Sequence, residues 1–181
     1  MKLIALSGSL RKASFNTRLA HAMAARAPEG VEVEAATCHG IPLYDGDREK
    51  SEGVPTAVVD LRERIQAADG LVLITPEYNA GMPGVLKNTL DWLSRPPKEM
   101  AATFGGKPTG IAGATPGGLG TTLAQSGSLV VLRQFKVRLF PDHLRVSRVH
   151  EALAGDGTIE GPAAESLDDW LGGFIAFVGD A

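Results

Sequence analysis

Two rhythms of apolar and polar positions take turns along the chain. Lys2-Leu3-Ile4-Ala5-Leu6 is a short continuous apolar run halted by Ser7-Gly8-Ser9, which reads as a buried strand and a turn. From Phe15 to Ala27 the alanines, Leu19, Ala22 and Met23 favour a helix that ends near Pro28-Glu29-Gly30. Val31 to Thr37 alternates Val31, Val33 and Ala35 with Glu32 and Glu34, the pattern of a strand near a sheet edge. Residues 40–55 mix Pro42, Gly46, Gly53 and Pro55 with charges and read as a surface loop. Val58, Leu61, Ile65 and Ala68 then recur at helical spacing. Gly70 to Thr75 is the clearest central strand, ended by Pro76. Met82, Val85, Leu86, Leu90 and Leu93 form the next helical stripe, with Pro83 in its first turn and Arg95-Pro96-Pro97 closing it. Pro108 to Ala114 predicts a fourth strand, and Leu119 to Phe135 a long apolar helix. Arg138 to Val146 predicts a weaker strand interrupted by Pro141. A turn at Gly155-Asp156-Gly157 precedes a last helical stripe from Leu167 to Val178.

Five strands alternating with five helices imply right-handed crossovers, a parallel sheet and helices on both of its faces: an α/β fold. With 181 residues and neither repeat nor linker, one domain over 1–181 is expected. In such sheets ligands bind at the carboxyl ends of the strands. The loops after the first, third and fourth strands therefore draw attention.

The first loop, Ser7 to Asn16, leads from a strand into a helix N-terminus, where unpaired N–H groups and the helix dipole favour an anion. Ser9, Ser14 and Asn16 add neutral donors, and Arg11 adds a fork suited to phosphate oxygens. The plainer reading of the same residues is a tight glycine turn with Ser14 as helix cap and Arg11 at the surface. The loop carries neither G-x-x-x-x-G-K-[ST] nor G-x-G-x-x-G, so a single terminal phosphate, as in a mononucleotide, suits it better than a triphosphate or a dinucleotide. The second loop, Thr75 to Gly84, combines stiffening prolines, glycines that admit close approach, and Tyr78 and Asn79. The third, Gly113 to Gly120, is built of small residues that leave room for a planar group and expose N–H donors. Each also reads as an ordinary turn.

Composition narrows the field. A net charge of −3 gives no basic footprint for nucleic acid and no cationic face for a membrane. One cysteine, Cys38, excludes an intrachain disulfide and a cysteine metal cluster. No apolar run has the length of a signal-peptide core or a membrane span, so a cytoplasmic setting is the expectation.

Taken together, Gly8-Ser9-Leu10-Arg11-Lys12-Ala13-Ser14-Phe15-Asn16 and Pro76-Glu77-Tyr78-Asn79 resemble the two signatures of the NADPH-dependent FMN reductase family, which includes chromate, quinone and azo reductases. Pro83 to Arg95 is similar to the helix after the second signature, and Gly113 to Gly118 to the family's flavin-edge loop; the likeness covers about residues 2–146. The resemblance implies a flavodoxin-like three-layer sandwich with strand order 2-1-3-4-5. It implies an FMN-dependent NAD(P)H oxidoreductase, using NADPH or NADH, that reduces quinones, chromate, azo compounds or free flavin in a ping-pong cycle. It places Ser9, Arg11, Ser14, Phe15 and Asn16 at the FMN phosphate, Pro76, Glu77, Tyr78 and Asn79 against the ring, and Gly113, Thr115, Gly117 and Gly118 at the ring's edge. No side chain is required as acid or nucleophile, and no metal. A homodimer or homotetramer is implied as well, and the apolar run Leu129 to Leu132 is wider than one buried face needs. A flavodoxin-type electron carrier is the alternative, although such carriers are more acidic. The chain departs from some members at Ala80-Gly81, where bulkier residues occur, and at Gly117-Gly118, where a basic residue occurs.

Other residues are set aside. His21, His39, His143 and His150 lack metal-ligand spacing and read as surface or packing residues. Cys38 beside His39 reads as a chance neighbour at a strand end. Asp45-Gly46-Asp47 lacks the later ligands of a calcium loop. No G-x-S-x-G elbow surrounds the serines. Lys87 and Asp91, four apart, are expected to pair on an exposed helix face.

Overall fold

A computed structural model of the chain describes residues 1–154 and 157–180. The strands are β1 Lys2–Ser7, β2 Glu32–Thr37, β3 Gly70–Ile74, β4 Pro108–Ala114 and β5 Arg138–Val146. All pair in parallel, in the order β2-β1-β3-β4-β5. The order reverses between β1 and β3, which opens a crevice above the carboxyl ends of the central strands.

Alternation along the strands decides what each face buries. Leu3 and Ala5 of β1, with Val72 and Ile74 of β3, face α1 (Phe15–Ala25) and α7 (Gly161–Gly179) and meet Leu19, Met23, Trp170 and Phe174. Ile4 and Leu6, with Leu71 and Leu73, face α3 (Thr56–Ala67), α4 (Gly84–Leu93), α5 (Pro97–Phe104) and α6 (Thr122–Gln134). The central strands are thus covered on both sides, which is why they read as unbroken apolar runs.

Several sequence expectations are corrected. Seven α-helices, not five, occur among the described residues. The loop expected over 40–55 contains α2 (Gly46–Glu52), because the Asp45 carboxylate accepts from the N–H groups of Asp47 and Arg48 and caps it. Pro97, read as a helix stop, opens α5 at the first helical position. Pro83 sits at the N-cap of α4, just outside its first turn. α6 starts three residues later than expected, because Gly120 and Thr121 adopt left-handed backbone at φ 56 and 61. β5 runs on through Pro141, and the expected interruption appears in the ladder, whose pairing skips from Leu139 to His143 opposite Thr109 and Ile111 and then resumes. The run Leu129 to Leu132 splits, with Leu132 buried and Val130 75% exposed. Of the expected turn at 155–157, Gly155 and Asp156 lie outside the described residues. The Lys87–Asp91 pair forms at 2.7 Å.

Candidate functional site

Three loops meet above β1, β3 and β4, and the contacts between them are specific. The first begins at Gly8, whose N–H donates to Ile74 O at 2.9 Å. A Cβ there would lie 2.7 Å from the Leu86 side chain, so glycine is what lets this turn sit on α4. The Ser9 hydroxyl accepts from Arg11 N at 3.3 Å, and Ser14 N donates to Arg11 O at 3.2 Å. Ser14 is the N-cap of α1, its hydroxyl oxygen accepting from Thr17 N. The N–H groups of Phe15 and Asn16, in the first turn, have no intrahelical acceptor. Arg11 is exposed, and its guanidinium has no ion pair among the described residues.

His39, set aside in the sequence, holds this loop from the end of β2. Its Nδ1 pairs with Thr37 Oγ1 at 2.9 Å, and its Nε2 lies 3.2 Å from Leu10 O. A carbonyl can only accept, so Nε2 carries the proton.

Asn16 is placed differently from the role the resemblance implies. Its side chain is buried; Oδ1 accepts from Ala114 N at 2.9 Å and Nδ2 donates to Ala114 O at 3.0 Å. The carboxamide thus acts as one more peptide unit beside β4, beyond the point where β3 has ended, and ties the first loop to the third. What Asn16 leaves for an anion is its backbone N–H.

The second loop turns sharply. Tyr78 and Gly81 exchange hydrogen bonds at 3.1 Å around Asn79 and Ala80, both in the left-handed region at φ 51 and 61. Two positive φ values make this a hairpin turn of the primed type. The Glu77 carboxylate reaches sideways to accept from Leu123 N at 2.9 Å and Ala124 N at 3.0 Å. It supplies the cap of α6 that Thr121, with no side-chain cap bond, does not. We expect Glu77→Ala to destabilise the protein by about 1–2 kcal/mol, the range for a lost helix cap. Glu77→Gln, which keeps an acceptor, should lose less. Urea denaturation and hydrogen exchange at Leu123 and Ala124 check this.

A narrow cleft between the loops is lined by Ser9, Arg11, Ser14, Phe15 and Asn16 from the first, Pro76, Glu77 and Tyr78 from the second, and Thr115 from the third. Ala114 and Pro116 line it too, and sequence reasoning did not single them out for the site. Asn79, Gly117 and Gly118 are exposed and lie outside its lining. Gly113 lies inside β4, beneath the third loop. Cys38 is buried, its Sγ–H aimed at Ser7 O at 3.5 Å, and burial pushes the thiol up to about 11, so no thiolate nucleophile exists there near neutral pH. Among the described residues no cluster of His, Cys, Asp and Glu could hold a metal ion, and no helix is long and apolar enough to cross a membrane.

The donor set suits a phosphate: two first-turn N–H groups, two serine hydroxyls whose protons remain free to donate, and an unpaired guanidinium at one helix N-terminus. Pro76, Tyr78, Thr115 and Pro116 line the same cleft beside it.

Comparison with known proteins gives a consistent picture. The family model described as NADPH-dependent FMN reductase matches residues 1–151. A 2-hydroxy-1,4-benzoquinone reductase from Burkholderia sp. is 44% identical over 126 residues, covering 70% of this chain and 67% of that one. An NAD(P)H-dependent FMN reductase from Pseudomonas aeruginosa is 46% identical over 125 residues, covering 69% of this chain but 65% of its own length, just under two thirds. The solved structure of FerB, a flavoenzyme NAD(P)H:(acceptor) oxidoreductase from Paracoccus denitrificans, superposes with a TM-score of 0.85 at 29% identity, covering 99% of this chain and 97% of that one.

Proposed function

Because the chain belongs to the NADPH-dependent FMN reductase family, we propose that it is an FMN-dependent NAD(P)H oxidoreductase whose acceptors are small molecules, quinones first among them. One observation carries this reading. The cleft brings the helix-capping loop after β1 together with the loops after β3 and β4, and two buttresses, Asn16 to Ala114 and Glu77 to α6, tie these segments to the third loop and to α6.

Bound FMN would supply the hydride and electron chemistry that links a reduced nicotinamide to the acceptor. The residues of the chain hold and orient it. Ser9, Ser14, Arg11 and the N–H groups of Phe15 and Asn16 grip the phosphate. Pro76, Tyr78, Thr115 and Pro116 border the ring. Tyr78 is 49% exposed and offers its face to whatever docks beside the ring. We infer a homodimer or homotetramer in the cytoplasm. The exposed Leu123 and Val130 of α6, with Leu119 just before it, are its subunit contact.

Flavin titration tests the binding assignment. Arg11→Ala should weaken FMN binding about ten- to a hundredfold, the effect of losing charge-assisted hydrogen bonds of roughly 1.5–3 kcal/mol. Wild-type affinity in that variant would remove Arg11 from the site. Steady-state oxidation of NADPH and NADH with a benzoquinone acceptor tests the activity. Absence of turnover with either donor would leave an electron carrier instead.

A further inference from the structure

One peptide group of the first loop, between Leu10 and Arg11, is held on both of its sides. Its carbonyl accepts from His39 Nε2 at 3.2 Å, and its N–H donates to Ser9 Oγ at 3.3 Å. No other hydrogen bond reaches it among the described residues. The loop's feet are tied separately, Gly8 N to Ile74 O at 2.9 Å and Ser14 N to Arg11 O at 3.2 Å. On its other nitrogen His39 meets Thr37 Oγ1 at 2.9 Å, at the end of β2. With the proton on Nε2, Nδ1 of the neutral ring keeps a lone pair and accepts from the threonine hydroxyl. Every donor then points the same way, from Thr37 to the imidazole, from the imidazole to Leu10 O, and from Arg11 N–H to Ser9 Oγ. Hydrogen bonds aligned in such a chain polarise one another. The chain ends in the cleft. Ser9 is 3% exposed and lines it, whereas His39 is exposed and lies outside its lining. The Ser9 proton has no acceptor among the described residues.

We propose that His39 is a positioning residue for the flavin phosphate, which acts through the Leu10–Arg11 peptide to aim the Ser9 hydroxyl and does not touch the ligand. The inference rests on the FMN reading above, which sets the phosphate against this loop. A trans peptide carries its C=O and N–H on opposite sides. Turned over, this one would point the Leu10 oxygen at Ser9, and the serine would give its proton to that oxygen instead of to the phosphate. The imidazole prevents the turn. Its Nε2–H would then face the Arg11 N–H, two donors with no acceptor between them. In the orientation observed, Ser9 accepts from the backbone and can only donate outward, which is what an anion requires.

The test is a pair of titrations on each variant, one with FMN and one with riboflavin, which has the same ring and ribityl chain and no phosphate. His39→Leu should weaken FMN binding roughly three- to tenfold, the worth of one hydrogen bond, and leave riboflavin binding as in the unaltered protein. Riboflavin reports on the fold of the same variant, so a general loss of structure cannot imitate this split. His39→Gln, whose carboxamide N–H can reach Leu10 O, should restore most of the FMN affinity. With Ser9→Ala already present, His39→Leu should weaken FMN binding less than it does alone, because its effect runs through that hydroxyl. Unchanged FMN affinity in His39→Leu overturns the proposal. So does equal weakening of both flavins, which marks a merely structural histidine, and so does strict additivity with Ser9→Ala. If the unaltered protein binds FMN no more tightly than riboflavin, the phosphate assignment itself fails and takes the inference with it.

Discussion

Asn16→Leu should destabilise the fold by about 2–5 kcal/mol, since each buried backbone group left without a partner costs about 1–3 kcal/mol. The residue is only 4% exposed, and its side chain satisfies both the N–H and the C=O of Ala114. Alternation explains why those two groups need it. Ala112 and Ala114 present their peptide groups to the same edge of β4; Thr75 N donates to Ala112 O at 2.9 Å, and β3 ends before it can reach Ala114. Leucine fills the same space and returns neither hydrogen bond. FMN affinity should fall with stability, because the buttress fixes the helix start that presents Phe15 N–H and Asn16 N–H. Equilibrium urea unfolding with and without FMN checks both effects. A loss below about 1 kcal/mol would mean that water replaces the carboxamide at this position.

Gly113→Ala should be at least as severe, about 3 kcal/mol or more, beyond the usual penalty for overpacking. A Cβ at this position would lie 1.9 Å from Thr121 Oγ1 and 2.6 Å from the backbone oxygen of Thr75. Neither neighbour can give way easily. Thr75 is tied into the sheet, and Thr121 is buried and accepts from Gln125 Nε2 at 3.0 Å. Combining Gly113→Ala with Thr121→Gly should recover part of the loss, because it removes the nearer contact and frees a left-handed position of its Cβ. A double-mutant cycle in urea should therefore show coupling of about 1–2 kcal/mol. Additive effects would mean that the Thr75 contact alone dominates.

Asn16 and Gly113 also show where sequence reasoning stops. The five strands, their parallel arrangement and the three loops follow from short-range pattern, because the central strands are buried on both faces and the main helices carry apolar stripes. The Ser14 cap and the Lys87–Asp91 pair are equally local, each partner lying within four residues. Asn16 looks like a phosphate donor beside Ser14, yet its partner Ala114 is 98 residues away. Glu77 looks like part of a ring platform, and its partners belong to a helix 46 and 47 residues on. Gly113 reads as room for a ligand, and the room is taken by Thr121. Spacing cannot report such contacts, since only the packed sheet brings their partners together. His39 was missed for the same reason. α2 and α5 escaped on other grounds. α2 is a charged helix of seven residues with no buried side chain, so it has no apolar stripe to detect. α5 hides behind Pro97, which looks like an end because it follows one helix and begins the next.

The register shift in β5 has a consequence for how copies of this chain meet. β5 is an outermost strand, and an outermost strand offers free backbone groups to any other strand that drifts alongside. Pro141 has no N–H to offer, the shift bends the strand beside it, and Trp170 Nε1 of α7 already donates to Asp142 O at 2.9 Å. The middle of this border is thus closed to sheet-to-sheet joining, and association between chains is steered toward helix faces.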